Sequence, residues 1–283
     1  MKLITARNLF RETLKAVYPI DEADYYFKMI LSSLFEIDPI AIALEPNLAL
    51  KPNQQKKLGD LMTDLLLETP MQYLLGVINF RSVELKVDPR VLIPRPETEE
   101  LVEWILEDYS QLKQELPLID LGTGSGCIAI ALKKEQPLFK VYALDKDQAI
   151  LDLVSLNAAA NNQEINCIQG DIHALEKFKL DVEVIVSNPP YITPKEKNTM
   201  KKNVLDFEPH QALFVPQDDP LLFYRKILLF AEQNLKPKGK IYFEINPLFE
   251  AEMETLIFSF DSYTITKRLD IFGKNRMLRL EKV

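Results

Sequence analysis

Apolar positions recur every three or four residues through the first quarter of the chain. Leu9, Phe10, Leu14 and Val17 fall on one helical face, as do Tyr26, Met29, Ile30 and Leu34. That period is the mark of helices buried along one stripe. Asp21 stands where a cap opens the second of these helices, and Asp38-Pro39 has the form of a cap followed by proline in the first turn. Leu58, Leu61, Leu65 and Leu66 mark a further helix over 52–68. The pattern predicts an all-helical unit of four or five short helices over residues 1–75.

The period then shortens. GVINFRSVELKVDPRVLI alternates in short extended runs broken at Asp88-Pro89, which predicts a β-hairpin linker over 76–92 joining two domains. A helix is expected over about 97–113. From residue 117 onward, apolar runs at 117–121, 139–145, 165–169, 182–187 and 240–245 alternate with helical stretches at 126–136, 147–162 and 220–235. Such alternation is the signature of a parallel sheet covered by helices on both faces. Two further extended runs lie near 262–268 and 276–281. The second domain is therefore read as α/β over 93–283.

Composition narrows the chemistry. A net charge of -8 argues against broad binding to nucleic acid, which requires a basic face. Cys127 and Cys167 are the only cysteines, each in an apolar run, and read as buried thiols of a reducing compartment. With two histidines and no paired cysteine motif, no metal site is expected. The charged N-terminus does not read as a signal peptide, and no run approaches the roughly 18 apolar residues of a membrane span. A cytoplasmic monomer that does not enter a membrane is expected.

Three of the eight glycines, Gly122, Gly124 and Gly126, fall within DLGTGSG, between the first predicted strand of the sheet and a helix. With Thr123 and Ser125 they form a loop whose backbone can approach a ligand closely. Asp145 ends the next strand, where an acid in a doubly wound fold accepts hydrogen bonds from ribose hydroxyls. The competing role for Asp145 is to cap the following helix. Gly170-Asp171-Ile172 ends the third strand and suits an adenine ring, with a carboxylate near its amino group and Ile172 against its face; a simple polar turn fits the same triplet.

The fourth strand stops at Asn188-Pro189-Pro190-Tyr191. Proline cannot serve inside a central strand, so the sheet ends there, at the edge where ligands bind. The Asn188 side-chain oxygen and the Pro189 carbonyl suit the two N–H groups of a planar amide or amino nitrogen. Accepting those bonds aims a delocalised lone pair and stabilises the positive charge that grows on nitrogen. Tyr191 offers a ring to pack on the flat acceptor.

The order DLGTGSGCIAIAL, ALD, GD and SNPPYI resembles the Rossmann-like class I methyltransferases that act on amino nitrogens. VLIPRPETEELVEW at 91–104, a helical domain ending in MQYLLGVINF, FEPHQAL at 207–213 and LLFYRKIL at 221–228 narrow the resemblance to the glutamine methyltransferases of class-1 peptide release factors, the PrmC family. The resemblance implies S-adenosylmethionine as cofactor, lined by Gly122 through Gly126, Asp145, Asp171, Ile172 and Asn188. It further implies a release-factor glutamine, within Gly-Gly-Gln, held by Asn188, Pro189, Pro190 and Tyr191. Arg95, Pro96, Glu97 and Thr98 would wall the methionine end, and the helical domain would grip the release-factor body. The chain departs from the family pattern at Ile172, where tryptophan is common, at PQDDP (216–220), and at EINPLFE (244–250).

Two other readings remain open. The same acceptor motif serves enzymes that methylate a ribosomal-protein glutamine or a nucleic-acid base, and Lys195, Lys197, Lys201 and Lys202 lie just beyond it. A non-catalytic adapter binding release factors through the helical domain is the reading from another class.

Overall fold

The computed structural model describes residues 1–283. The chain divides into two compact units: Met1–Val77 together with Lys201–Phe207, and Ile78–Met200 together with Glu208–Val283.

The first unit holds α1 (Leu3–Leu14), α2 (Ile20–Phe35), α3 (Ala41–Leu44), α4 (Pro52–Leu66) and α5 (Met71–Leu75). The helical stripes close on one core, in which the rings of Phe10 and Phe27 lie 5.5 Å apart. Each of these fully buried side chains contributes roughly 2 kcal/mol by leaving water. Asp21 does not cap α2. The cap position is Pro19, two residues earlier, and Asp21 and Glu22 instead place negative charge in the first turn, where the helix dipole favours it. Asp38 accepts a hydrogen bond from the Ile40 N–H at 2.9 Å, so Asp38-Pro39 forms a turn ahead of a single helical turn.

In the second unit the strands are β1 (Val77–Phe80), β2 (Val83–Lys86), β3 (Leu116–Leu121), β4 (Phe139–Asp145), β5 (Asn166–Gln169), β6 (Val182–Ser187), β7 (Leu235–Glu244), β8 (Tyr263–Leu269) and β9 (Asn275–Lys282). Its helices are α6 (Pro96–Asp108), α7 (Cys127–Glu135), α8 (Gln148–Ala160), α10 (His210–Leu213), α11 (Leu222–Asn234) and α12 (Glu250–Phe258), while α9 (Lys202–Phe207) belongs to the first unit. Three short 3-10 segments, Ile172–Lys177, Pro194–Thr199 and Pro247–Phe249, follow β5, β6 and β7.

β1 and β2 pair as a small ribbon, and the larger sheet runs in the order β5-β4-β3-β6-β7-β9-β8. β3 to β7 are parallel, and β9 and β8 add an antiparallel margin. Because β4 lies on one side of β3 and β6 on the other, the connections diverge between β3 and β6. A crevice opens outside the carboxyl ends of strands at such a switch point.

The ribbon is fastened to the second unit rather than free between two bodies. Asn157 Oδ1, on α8, accepts from the Lys86 N–H at 2.8 Å, and Asn161 Nδ2, at the cap of that helix, donates to the Glu84 carbonyl at 2.7 Å. α6 is shorter than the expected 97–113. It stops at Asp108, whose carboxylate accepts hydrogen bonds from Tyr242 Oη and Arg279 on the sheet. Cys127 is buried as expected, but Cys167 is half-exposed because β5 is an edge strand. No helix is long and apolar enough to cross a membrane.

Candidate active site

The glycine loop begins where β3 ends. Gly122, Gly124 and Gly126 all have positive φ, at 78°, 53° and 80°, values that a side chain strains. The N–H groups of Gly122 and Thr123 donate to the Leu144 carbonyl at 2.9 and 3.0 Å, which locks the loop to the end of β4. A Cβ at Gly126 would stand 3.0 Å from Ile130 Cδ1, whereas one at Gly124 would meet nothing within 4 Å. Gly126 is therefore needed for packing, and Gly124 leaves its backbone open to a ligand. Beneath the loop, Thr123 Oγ1 donates to Asp120 Oδ2 at 2.7 Å, and Asp120 Oδ1 has no partner. Burial pushes the Asp120 carboxyl up to about 7.

Asp145 closes β4 almost wholly buried. Its Oδ2 accepts from the Gly124 N–H at 3.2 Å and its Oδ1 from the Asp147 N–H at 3.3 Å. Burial raises this carboxyl above the ordinary range. The capping role left open for Asp145 falls to Asp147, which accepts from the Ala149 N–H at 2.9 Å. Asp145 is thus free of helix-capping duty. After β5, Gly170 is a glycine because a Cβ there would lie 2.5 Å from the Phe178 ring. Asp171 is exposed and accepts from the His173 N–H at 2.8 Å, capping the 3-10 turn, while Ile172 is buried.

At the end of β6, Ser187 Oγ donates to the Leu121 carbonyl at 2.6 Å and so aligns the ends of β3 and β6. Asn188 Nδ2 donates to Thr98 Oγ1 at 3.2 Å, and Thr98 Oγ1 donates to Glu244 Oε2 at 2.7 Å. Asn188 Oδ1 makes no hydrogen bond within the protein. Tyr191 Oη donates to Glu244 Oε1 at 3.0 Å. The backbone just beyond is held by Asn246, whose Nδ2 donates to the Tyr191 carbonyl at 3.2 Å and to Glu196 Oε1 at 2.9 Å. Arg95 pairs with buried Glu208, which also accepts from the Ile93 N–H.

These elements surround an open cleft at the carboxyl ends of β3 to β6. Gly122, Thr123, Gly124 and Ser125 line it, as do Asp145, Asp171 and Ile172, and so do Asn188, Pro190 and Arg95. Gly126, Pro189, Tyr191 and Glu97 do not. The Tyr191 side chain faces a separate small apolar cavity with Leu221, Phe249 and Met253, its hydroxyl drawn to Glu244. Thr98, Arg90, Lys146, Gln211 and Phe223 complete the cleft. Of these, Phe223 packs on the His173 ring at 5.0 Å. Thr98, Gln211 and Phe223 lie in segments that carried the family resemblance, although none but Thr98 was singled out, whereas Arg90 and Lys146 were marked by no motif of their own. Cys127 also lines the cleft; burial pushes its thiol up to about 12, so it stays neutral and is no nucleophile.

Residues 100–207 match the family described as methyltransferase small domain, and residues 5–76 match the PrmC N-terminal domain. A release factor glutamine methyltransferase from Flavobacterium psychrophilum is 38% identical over 97% of this chain and 97% of its own length. Another from Bacteroides thetaiotaomicron is 37% identical over 98% of this chain and 99% of its own. Among solved structures, a methyltransferase from Pyrococcus furiosus superposes with a TM-score of 0.51 at 15% identity, covering 82% of this chain and 98% of that one, a likeness of fold alone. With two relatives matched from end to end and both halves of the chain recognised, the chain belongs to the release factor glutamine methyltransferase family.

Proposed function

We propose that this enzyme transfers a methyl group from S-adenosylmethionine to the side-chain amide nitrogen of the glutamine in the Gly-Gly-Gln motif of class-1 release factors. The donor set of the cleft fits that cofactor. The open backbone at Gly124 suits close approach of the methionine portion, the Asp145 carboxylate suits ribose hydroxyls, and Ile172 with Asp171 suits an adenine ring. When bound, the cofactor supplies an electrophilic methyl group on a sulfonium centre.

The protein's own part is positioning. A glutamine amide nitrogen is a poor nucleophile because its lone pair is delocalised into the carbonyl. Asn188 Oδ1, left without a partner, accepts one amide N–H and gathers charge density beside the nitrogen as positive charge grows there. Prolines 189 and 190 lack N–H groups, so the turn offers no donors that would compete for the acceptor. No strong base is needed, because the nitrogen acidifies once it is alkylated. Pro189 and Tyr191 act from behind the cleft wall, Pro189 through its backbone and Tyr191 by fixing the turn through Glu244. Arg95, held by Glu208, stands at the cleft wall, and Glu97, two residues on, lies in the first turn of α6. The helical unit is assigned to the release-factor body, and the site of action to the cytoplasm.

The observation that carries this reading is the partnerless Asn188 oxygen at the end of β6. The test is single-turnover methylation of a release factor with saturating labelled cofactor. Asn188→Ala is expected to lose roughly 10²–10³ in rate, and a Gln→Ala change in the Gly-Gly-Gln motif to abolish labelling. Labelling of a ribosomal-protein glutamine or a nucleic-acid base from a cell lysate, with the release factor unlabelled, overturns the substrate assignment.

A further inference from the structure

Glu244 ends β7 and is 1% exposed, and the reaction outlined above uses it only as an anchor for Tyr191. A carboxylate so deeply buried is costly unless its lone pairs are used. Two hydroxyls use them: Thr98 Oγ1 at 2.7 Å and Tyr191 Oη at 3.0 Å. A hydroxyl has one hydrogen. Once Thr98 has given its hydrogen to Glu244, its oxygen has only lone pairs left to offer.

Asn188 meets Thr98 at that oxygen. Its Nδ2 stands 3.2 Å away and donates. Were the amide turned over, Asn188 Oδ1 would face Thr98 Oγ1 with no hydrogen between them, and an amino group would face the cleft. Burial pushes the Glu244 carboxyl upward, while the Thr98 and Tyr191 hydroxyls and the Arg276 charge favour its ionised form; ionised, it can only accept, and the hydrogen bonding then runs one way, from Asn188 to Thr98 to Glu244. The same carboxylate holds Tyr191, three residues past Asn188, so both ends of the Asn-Pro-Pro-Tyr turn are tied to one group.

We propose that Glu244 is a positioning residue for methyl transfer, which through the Thr98 hydroxyl keeps the Asn188 amide turned with its oxygen toward the cleft. The proposal rests on the reading that Asn188 Oδ1 takes the acceptor's N–H. Glu244 touches neither substrate nor cofactor. It acts by denying Asn188 the inverted orientation, in which a donor would confront the N–H groups of the glutamine.

Thr98→Val keeps the shape of the side chain and removes the hydroxyl. It is expected to lower the single-turnover rate roughly 10- to 100-fold, the scale of a misplaced rather than missing group, while the dissociation constant for S-adenosylhomocysteine stays within about threefold. Thr98→Ser restores most of the rate. Glu244→Met removes both acceptors at similar volume and frees the Thr98 hydrogen to turn toward Asn188, so its rate falls like that of Thr98→Val although Thr98 is intact. In the Asn188→Ala background, Thr98→Val has no further effect, because its only route to the reaction is gone. A wild-type rate for Thr98→Val, or for a Glu244→Met enzyme that binds S-adenosylhomocysteine normally, overturns the proposal, as does full additivity with Asn188→Ala. If Glu244→Met does not fold, the valine and serine pair decides. An Asn188→Ala enzyme at the wild-type rate instead defeats the acceptor-site reading itself, which separates the two failures.

Discussion

Asn157 on α8 donates its side-chain amide to the Ser125 carbonyl at 3.0 Å, binding the glycine loop to a helix that follows the next strand. The same amide donates to the Lys86 carbonyl at 3.0 Å and its oxygen accepts the Lys86 N–H, so one buried side chain joins loop, helix and ribbon. Replacement by alanine strands buried backbone groups, each costing about 1–3 kcal/mol. Asn157→Ala is expected to lose at least about 2 kcal/mol, or roughly 4–8 °C in Tm for a domain of this size, and to weaken cofactor binding as the loop loosens. A melting curve unchanged from wild type defeats this account.

Asp145 carries a second prediction. Its two oxygens already accept from Gly124 and Asp147, which aligns the carboxylate before any ligand arrives. Asp145→Ala removes a charged acceptor, a loss of roughly 1.5–3 kcal/mol per hydrogen bond. That corresponds to a dissociation constant for S-adenosylhomocysteine raised at least about tenfold. Calorimetric titration reads it, and an unaltered constant removes Asp145 from the cofactor site.

The glycines separate stability from binding. Gly124→Ala strains a φ of 53° but meets open space, so a cost of about 1–2 kcal/mol should accompany a larger loss of cofactor affinity. Gly126→Ala strains a φ of 80° and also crowds Ile130 and Val154, so it should lower Tm more than Gly124→Ala does. Paired melting and binding measurements that rank the two variants in the opposite order contradict this division of roles.

Asp120 predicts a pH dependence of stability. With its carboxyl pushed up to about 7 by burial, the folded chain keeps a proton that the unfolded chain releases at an ordinary carboxylate pH. The contribution is fully present below the ordinary range and is lost as pH rises toward 7. Asp120→Asn removes that loss. The difference in unfolding free energy between variant and wild type should therefore be flat at low pH, grow through the weakly acid range, and level off above about 7, reaching a few kcal/mol. Urea unfolding at a series of pH values checks it, and a difference independent of pH rules it out.

The sequence by itself determined the main helices and strands and the places where chemistry could occur, but not the end of α6 or the short helical turns beyond β5, β6 and β7. Helical stripes such as Leu58, Leu61 and Leu65 and the alternation after residue 117 are local patterns, dictated by which face of an element is buried, and they reappear as α4 and as the sheet. Glycine and proline are equally local, since their backbone limits act on the residue itself; hence the loop at Gly122–Gly126 and the end of β6 before Pro189 were legible. Only the tertiary structure decided which side chains meet. Asn188 and Thr98 are 90 residues apart in the chain, and Thr98 and Glu244 are 146 apart. No local period encodes such pairs; the parallel register of β6 and β7 brings Asn188 level with Glu244, and the first turn of α6 sets Thr98 between them. For the same reason Tyr191, the last residue of the acceptor turn, was expected at the cleft but lies behind it, its hydroxyl hydrogen-bonded to the buried carboxyl group of Glu244 on β7.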